Sequence, residues 1–129
     1  MTLTITSLAA GVLALWCVVL SVRVIGQRRN DSVSLGTGDS KTLERRVRAH
    51  GNLAEYGPFG LILLGLAEIQ AANAVVLGVL ALLLVGGRLA HGFALSFSAG
   101  NVPFRVGGMF STFTAIICLA LLNLWIVMS

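Results

Sequence analysis

Charge is scarce in this chain. Of its 129 residues only 11% are Asp, Glu, Lys or Arg, while 57% are hydrophobic. A soluble domain carries about 25% charged residues, so the scarcity excludes an ordinary globular protein and implies an integral membrane one. The length leaves room for a single domain of that class, residues 1–129. Histidine and cysteine number two each, and no histidine stands near a cysteine in sequence, which removes the ligand spacing of a zinc site. Nor does a Ser/His/Asp or Cys/His arrangement come near enough to suggest a nucleophile carried by the protein itself. The N-terminus has no Lys or Arg ahead of its first apolar run and no small-x-small site after it. That run is therefore expected to stay as a span and not to be removed as a signal peptide. The net charge of +4 does not indicate nucleic acid, because the aromatic residues are not interleaved with the basic ones. The basic residues flank apolar runs instead, a pattern that sets topology and faces lipid headgroups. Cys17 and Cys118 both sit inside apolar runs and read as small hydrophobes, a disulfide between them requiring their two spans to touch at one depth.

What is present is a succession of apolar segments. They fall at about residues 3–25, 43–70, 74–97 and 105–128, each long enough to cross a hydrocarbon layer of about 30 Å at about 1.5 Å per residue. The polar stretch from Gln27 to Thr42 reads as a loop. Its Gly36-Thr-Gly-Asp-Ser-Lys-Thr42 run misses the glycine-to-lysine spacing of a phosphate loop, and Asp39 or Ser40 suits the N-cap of the next helix. Gln70–Asn73 reads as a tight polar turn. Four spans with short connections predict an all-α integral membrane fold, a four-transmembrane-helix up-down bundle. All nine basic residues (Arg23, Arg28, Arg29, Lys41, Arg45, Arg46, Arg48, Arg88 and Arg105) collect at one end of it. The positive-inside rule makes that end cytoplasmic and puts both termini outside.

The second segment opens with polar residues that run straight into apolar sequence. At about 100° per residue, Arg45, Arg48, Asn52 and Glu55 fall within an arc of about 80° on its helix, while Arg46 and His50 point elsewhere. Arg88 and His91 bring a second ionisable pair on a shared face of the third span, and Arg105 opens the fourth. Ionisable groups inside spans are costly unless paired or wetted, and they mark sites by default. One alternative is that Glu55 simply neutralises Arg88 or Arg48 and pins helix packing; that accounts for one pair and leaves several arginines over. The remainder suits a small polar ligand with carboxylates for the arginines and an amine for Glu55, with an apolar second substrate arriving from the membrane.

At these residues the chain resembles the MAPEG family, the membrane-associated proteins of eicosanoid and glutathione metabolism, and its small bacterial branch in particular. The resemblance rests on Gly26-Gln-Arg-Arg29, Val33-Ser-Leu-Gly36, the run Arg46-Val-Arg-Ala-His-Gly-Asn-Leu-Ala-Glu-Tyr-Gly-Pro58, Gly87-Arg-Leu-Ala-His91-Gly, and Arg105-Val-Gly-Gly-Met109. It implies a homotrimer in the bacterial inner membrane, among membrane lipids, that binds glutathione between subunits near the cytoplasmic face and takes a lipophilic small-molecule substrate. Arg29, Arg48, Asn52, Glu55, Arg88 and His91 would bind glutathione, and Arg105 would be catalytic, lying near the sulfur where a cation favours thiolate. No metal and no nucleic acid are implied. Several animal members carry a serine right after the sulfur-side arginine, a tyrosine three residues beyond that serine, and a tyrosine four after the histidine. Val106, Met109 and Leu95 stand at those places here.

The implied activity is a glutathione-dependent membrane transferase, or a peroxidase on the same thiol chemistry, acting on lipophilic electrophiles. The missing hydroxyls motivate the alternative of a non-catalytic trimeric membrane module that binds a lipid or thiol ligand between subunits. A proton-coupled exporter finds no relay, since Glu68 is the only charge beyond the cytoplasmic half.

Overall fold

The computed structural model describes residues 2–129. Four helices follow one another: α1 (Thr4–Asp31), α2 (Lys41–Ile69), α3 (Ala74–Ser96) and α4 (Val102–Met128). They run alternately up and down, as the sequence predicts. α1, α3 and α4 are each long and apolar enough to cross a membrane. α2, at about 43 Å for its 29 residues, is the polar member, charged through its first half and apolar from Gly57 to Ala67. α2 and α3 form the middle of the bundle and touch every other helix, whereas α1 and α4 flank them and, among the described residues, do not meet. Cys17 on α1 and Cys118 on α4 therefore cannot reach each other, and both are free thiols.

Local chemistry explains where each helix begins. The Ser40 side chain accepts from the Leu43 amide at 3.2 Å, capping α2. Asn73 accepts from Val75 and Val76 to start α3, and Asn101 accepts from Phe104 to start α4, three residues ahead of the expected Arg105. Pro103 lies in that first turn, where its missing N–H costs no helical bond. One expectation fails here: Gln27–Asp31 is not loop but the last turns of α1. Gln27 Nε2 donates to both Asp31 carboxylate oxygens at 2.9 and 3.0 Å, and Arg28 and Arg29 suit the negative end of the helix dipole. Ser32, left-handed at φ 56°, ends the helix and turns its N–H back to Arg29 while Val33 bonds Arg28.

The core is built in two tiers. Leu64, Ala67, Leu77, Leu80 and Leu119 close the tier nearer the chain termini; Leu13, Leu20, Ala49, Leu53 and Leu95 close the other. At the terminal end Glu68 of α2 accepts from the Ile5 and Thr6 amides at 2.9 and 2.8 Å and from the Thr6 hydroxyl at 2.6 Å. A carboxylate from one helix thus caps the unsatisfied, positively polarised N-terminus of another, which gives the lone outer charge a structural role. The outward faces of α1 and α4 expose Leu15, Val18, Val22, Phe110, Ile117 and Leu121, apolar side chains that lipid would cover.

α3 and α4 meet backbone to backbone. A Cβ on Gly87 would lie 2.6 Å from Thr112 Oγ1 and 2.8 Å from the Gly108 carbonyl, and one on Gly108 would lie 2.6 Å from the Gly87 carbonyl. Neighbouring Gly86 and Gly107 face open space. Gly87→Ala and Gly108→Ala should each lower stability by about 1–3 kcal/mol through forced separation of the backbones. Gly86→Ala and Gly107→Ala should leave it unchanged or slightly raised. Thermal unfolding of the four variants in one detergent checks this; equal midpoints across the set would refute the crossing.

Candidate functional site

The polar stripe of α2, the cytoplasmic half of α3 and the first turns of α4 enclose a cleft of about 490 Å³, within the range of small-molecule sites. Arg45, Arg48, Asn52 and Tyr56 line it from α2 together with Glu44; His91 and Leu95 line it from α3, Arg105 and Met109 from α4. Four of the seven residues singled out in the sequence (Arg48, Asn52, His91 and Arg105) therefore face one space. The helical period is the cause: residues 45, 48, 52 and 56 stack on a single face.

The other three stand apart. Glu55 is not part of the lining but flanks it, with its Oε1 3.7 Å from Arg48 Nη1; both side chains are about half exposed, at 55% and 56%. An ion pair this long and wet is worth at most about 1 kcal/mol, so it leaves Arg48 available to a better acceptor. Arg88 is 1% exposed and lies behind the wall. Its Nε donates to Thr112 Oγ1 at 2.8 Å, its Nη2 to Met109 Sδ at 3.0 Å and its Nη1 to the Asn52 carbonyl at 3.5 Å. Its guanidinium carbon stands 5.4 Å from the Tyr56 ring centroid. Thr112 passes its own hydroxyl proton to the Gly108 carbonyl at 2.8 Å. No described carboxylate lies within ion-pair distance of Arg88; dipoles, a sulfur and an aromatic face hold it. Arg29 is exposed on the last turn of α1, beside a separate hollow with Ile25, Ser32 and Val33. Because α1 does not meet α4, Arg29 and Arg105 share no cleft within one chain.

The nine cations can now be sorted by what they touch. Arg23 donates to the Ser96 hydroxyl and carbonyl and lies 3.7 Å over the Phe97 ring, while Arg46 donates to the Arg23 carbonyl at 3.1 Å. Arg28 ties the loop down through the Gly36 carbonyl at 2.7 Å. Lys41 pairs with Glu44 at 3.2 Å. That leaves Arg45, Arg48 and Arg105 facing the cleft against one lining carboxylate, Glu44, whose charge Lys41 already offsets. Arg105 sits in the first turn of α4, where the helix dipole disfavours a cation. The helix does not account for it. His91 is 4% exposed, and its ring makes no hydrogen bond to another described residue.

Tyr56 and Glu44 were missed in the sequence. Tyr56 was legible, being four residues past Asn52 on the same stripe; it packs edge-on to Phe113 at 5.4 Å. Glu44 lies outside the arc and enters from the first turn of α2. A second correction concerns Cys17 and His50, which the sequence gives no reason to join. The structure places Cys17 Sγ 3.8 Å from His50 Nε2, across the α1–α2 seam and off the stripe that lines the cleft. Among the described residues no three of His, Cys, Asp and Glu converge as a metal site would require.

The model of the MAPEG family matches residues 6–125. The chain is similar to the inner membrane protein YecN of Escherichia coli, in two strains, at 30% identity over 121 residues, covering 94% of this chain and 91% of the relative.

Removing the partner of a buried guanidinium is costly. Thr112→Val should destabilise the protein by about 1–3 kcal/mol by leaving Arg88 Nε without an acceptor. Thr114→Val, which deletes a hydroxyl bonded only to its own helix at Phe110, should cost under about 0.5 kcal/mol. Thermal unfolding of the pair reads the difference, and equal losses would remove Arg88 from its stated role.

Proposed function

The chain belongs to the MAPEG family, and from that premise we propose that it is a glutathione-dependent membrane transferase, with hydroperoxide reduction open to the same thiol. It is an integral membrane protein. The observation that carries the reading is the set of three guanidiniums, Arg45, Arg48 and Arg105, facing one cleft from two helices, with only the long, exposed Glu55 contact to Arg48 and the Lys41-paired Glu44 as carboxylates nearby. Glutathione fits that donor set: it has two carboxylates for the arginines and an amine for a carboxylate at the rim. When bound it supplies a thiol whose anion adds to electrophiles.

The chain's own residues divide the work. Arg48, with Arg45 beside it, holds carboxylates, where forked geometry also fixes orientation. Glu55 takes the amine, and Asn52 and His91 add hydrogen bonds. Arg105 stabilises negative charge on sulfur as the proton leaves. Arg88 acts from behind, keeping Asn52, Tyr56 and Met109 in register. Arg29, exposed and outside this chain's cleft, reaches a cleft only from a neighbouring copy, which agrees with a homotrimer whose sites lie between subunits. The cleft opens at the basic end of the bundle, which the positive-inside rule assigns to the cytoplasm, with both termini outside the bacterial inner membrane. The lipophilic acceptor enters from the bilayer past the exposed side chains of α4.

Leu95 and Met109 favour a second reading. They line the cleft beside Arg105 without a hydroxyl, so a module that binds a thiol or lipid ligand without turning it over has a specific observation behind it. Isothermal titration of the purified oligomer with glutathione should show binding, weakened about tenfold or more (about 1.4 kcal/mol) in Arg105→Ala and Arg48→Ala. Stopped-flow absorbance at the thiolate band should show proton release from the bound thiol near neutral pH. Binding without thiolate, and without conjugation of a model electrophile, would select the module; no heat at millimolar glutathione would reject the glutathione reading. A C-terminal alkaline phosphatase fusion should be active and a C-terminal green fluorescent protein fusion dark. The reverse would invert the orientation.

A further inference from the structure

We propose that Cys17 is a second reactive thiol, separate from the glutathione cleft, which adds covalently to α,β-unsaturated carbonyl compounds dissolved in the bilayer, with His50 as its proton acceptor. Cys17 Sγ stands 3.8 Å from His50 Nε2, within reach for a thiol–imidazole proton transfer. The cysteine is half-buried, and it lines a hollow of about 300 Å³ between α1 and α2. Leu13, Ala14, Leu53, Ala54 and Pro58 form the walls, and Cys17 is the one lining residue with a reactive side chain. Cys17 thus contacts an imidazole and also lines an apolar hollow that His50 does not line.

Depth selects the reagent. Cys17 lies six residues before Arg23 on α1, about 9 Å along the axis toward the membrane centre. The hollow offers no charged or hydrogen-bonding group to a soluble electrophile, but it matches an alkyl chain carrying an enal or enone. The step balances without an oxidant. His50 Nε2 takes the thiol proton, the sulfur electron pair forms a C–S bond at the β-carbon, and the C=C π pair moves to the carbonyl as an enolate. The imidazolium then returns the proton to the α-carbon. The thiol has added across the double bond, and nothing leaves. The proton passes between sulfur and imidazole across a single contact and need not reach solvent.

Cys118 supplies an internal control. It is the only other cysteine, it is exposed on α4, and no imidazole contacts it. Accessibility alone predicts that Cys118 reacts first. The purified protein in detergent is exposed to trans-2-nonenal, without glutathione, and the adducts are mapped by peptide mass spectrometry. Cys17 should be modified about tenfold faster than Cys118 or more, because general-base assistance of about 10²–10⁴-fold outweighs the better access of Cys118. His50→Phe and His50→Gln should each erase that lead, so that Cys118 reacts as fast as Cys17 or faster. Faster or equal modification of Cys118 in the wild-type protein would overturn the proposal, and so would a lead for Cys17 that survives loss of the imidazole. If one His50 variant fails to fold, the other and the wild-type ratio still decide. Because glutathione is absent, the outcome is independent of the cleft's assigned ligand.

Discussion

The crossing of α3 and α4 at Gly87 and Gly108 sets the position of every group in the cleft. With no Cβ on either side, the two backbones approach until the Gly87 carbonyl lies 2.6 Å from where a Gly108 Cβ would stand. Arg88 follows Gly87 directly, and Thr112 lies one turn beyond Gly108, so the same approach that removes two side chains delivers a guanidinium onto a hydroxyl at 2.8 Å. A wider crossing would leave that cation buried and under-bonded, at a cost of several kcal/mol. The close contact and the buried arginine are therefore one device, and each is stable only in the presence of the other. His91, one turn along α3, is carried to the cleft by the same geometry and meets the first turns of α4 where Arg105 stands.

Positive charge has two uses in this protein. Arg23, Arg28 and Arg46 bond backbone carbonyls near helix ends and in the loop, which is helix and loop anchoring at the membrane boundary. Arg45, Arg48 and Arg105 do none of that. They come from different elements, and one of them opposes its own helix dipole. Such a cost is tolerated where an external anion offsets it. The five acidic residues do not supply that anion: Asp31 bonds Gln27, Glu68 caps α1, Glu44 pairs with Lys41, Glu55 touches Arg48 only at 3.7 Å, and Asp39 lies in the loop that precedes α2.

The sequence carried the stripe on α2 plainly, because a period near 3.6 puts residues 45, 48 and 52 on one face whatever surrounds the helix. It carried the starts of α2 and α3 to within about two residues, but not that of α4, where Asn101 caps a helix that begins three residues ahead of the expected Arg105. It did not carry the end of α1, where Gln27 and Asp31 satisfy each other and keep a polar run helical. Arg88 and His91 share a face, yet one is walled off and the other lines the cleft. Which does which depends on the rotation of α3 about its axis, fixed by glycine contacts with another helix and invisible to local pattern. Cys17 and His50 are 33 residues apart, and only the packing of α1 on α2 joins them.

The order of the helices follows from the same accounting of polarity. α2 carries too much charge to face lipid along its whole length, and α3 carries an arginine and a histidine that must be enclosed. The arrangement that shelters both puts them side by side in the middle and leaves α1 and α4, whose charges are confined to their ends at the basic side, on the flanks. α2 then has two chemically different seams. Toward α3 and α4 it presents the cationic stripe, open to water at the basic end. Toward α1 it presents His50 and the small apolar residues that leave room beside Cys17. A single amphipathic helix, centred by its own polarity, thus divides the protein into a side with a cationic cleft and a side with an apolar, thiol-lined hollow.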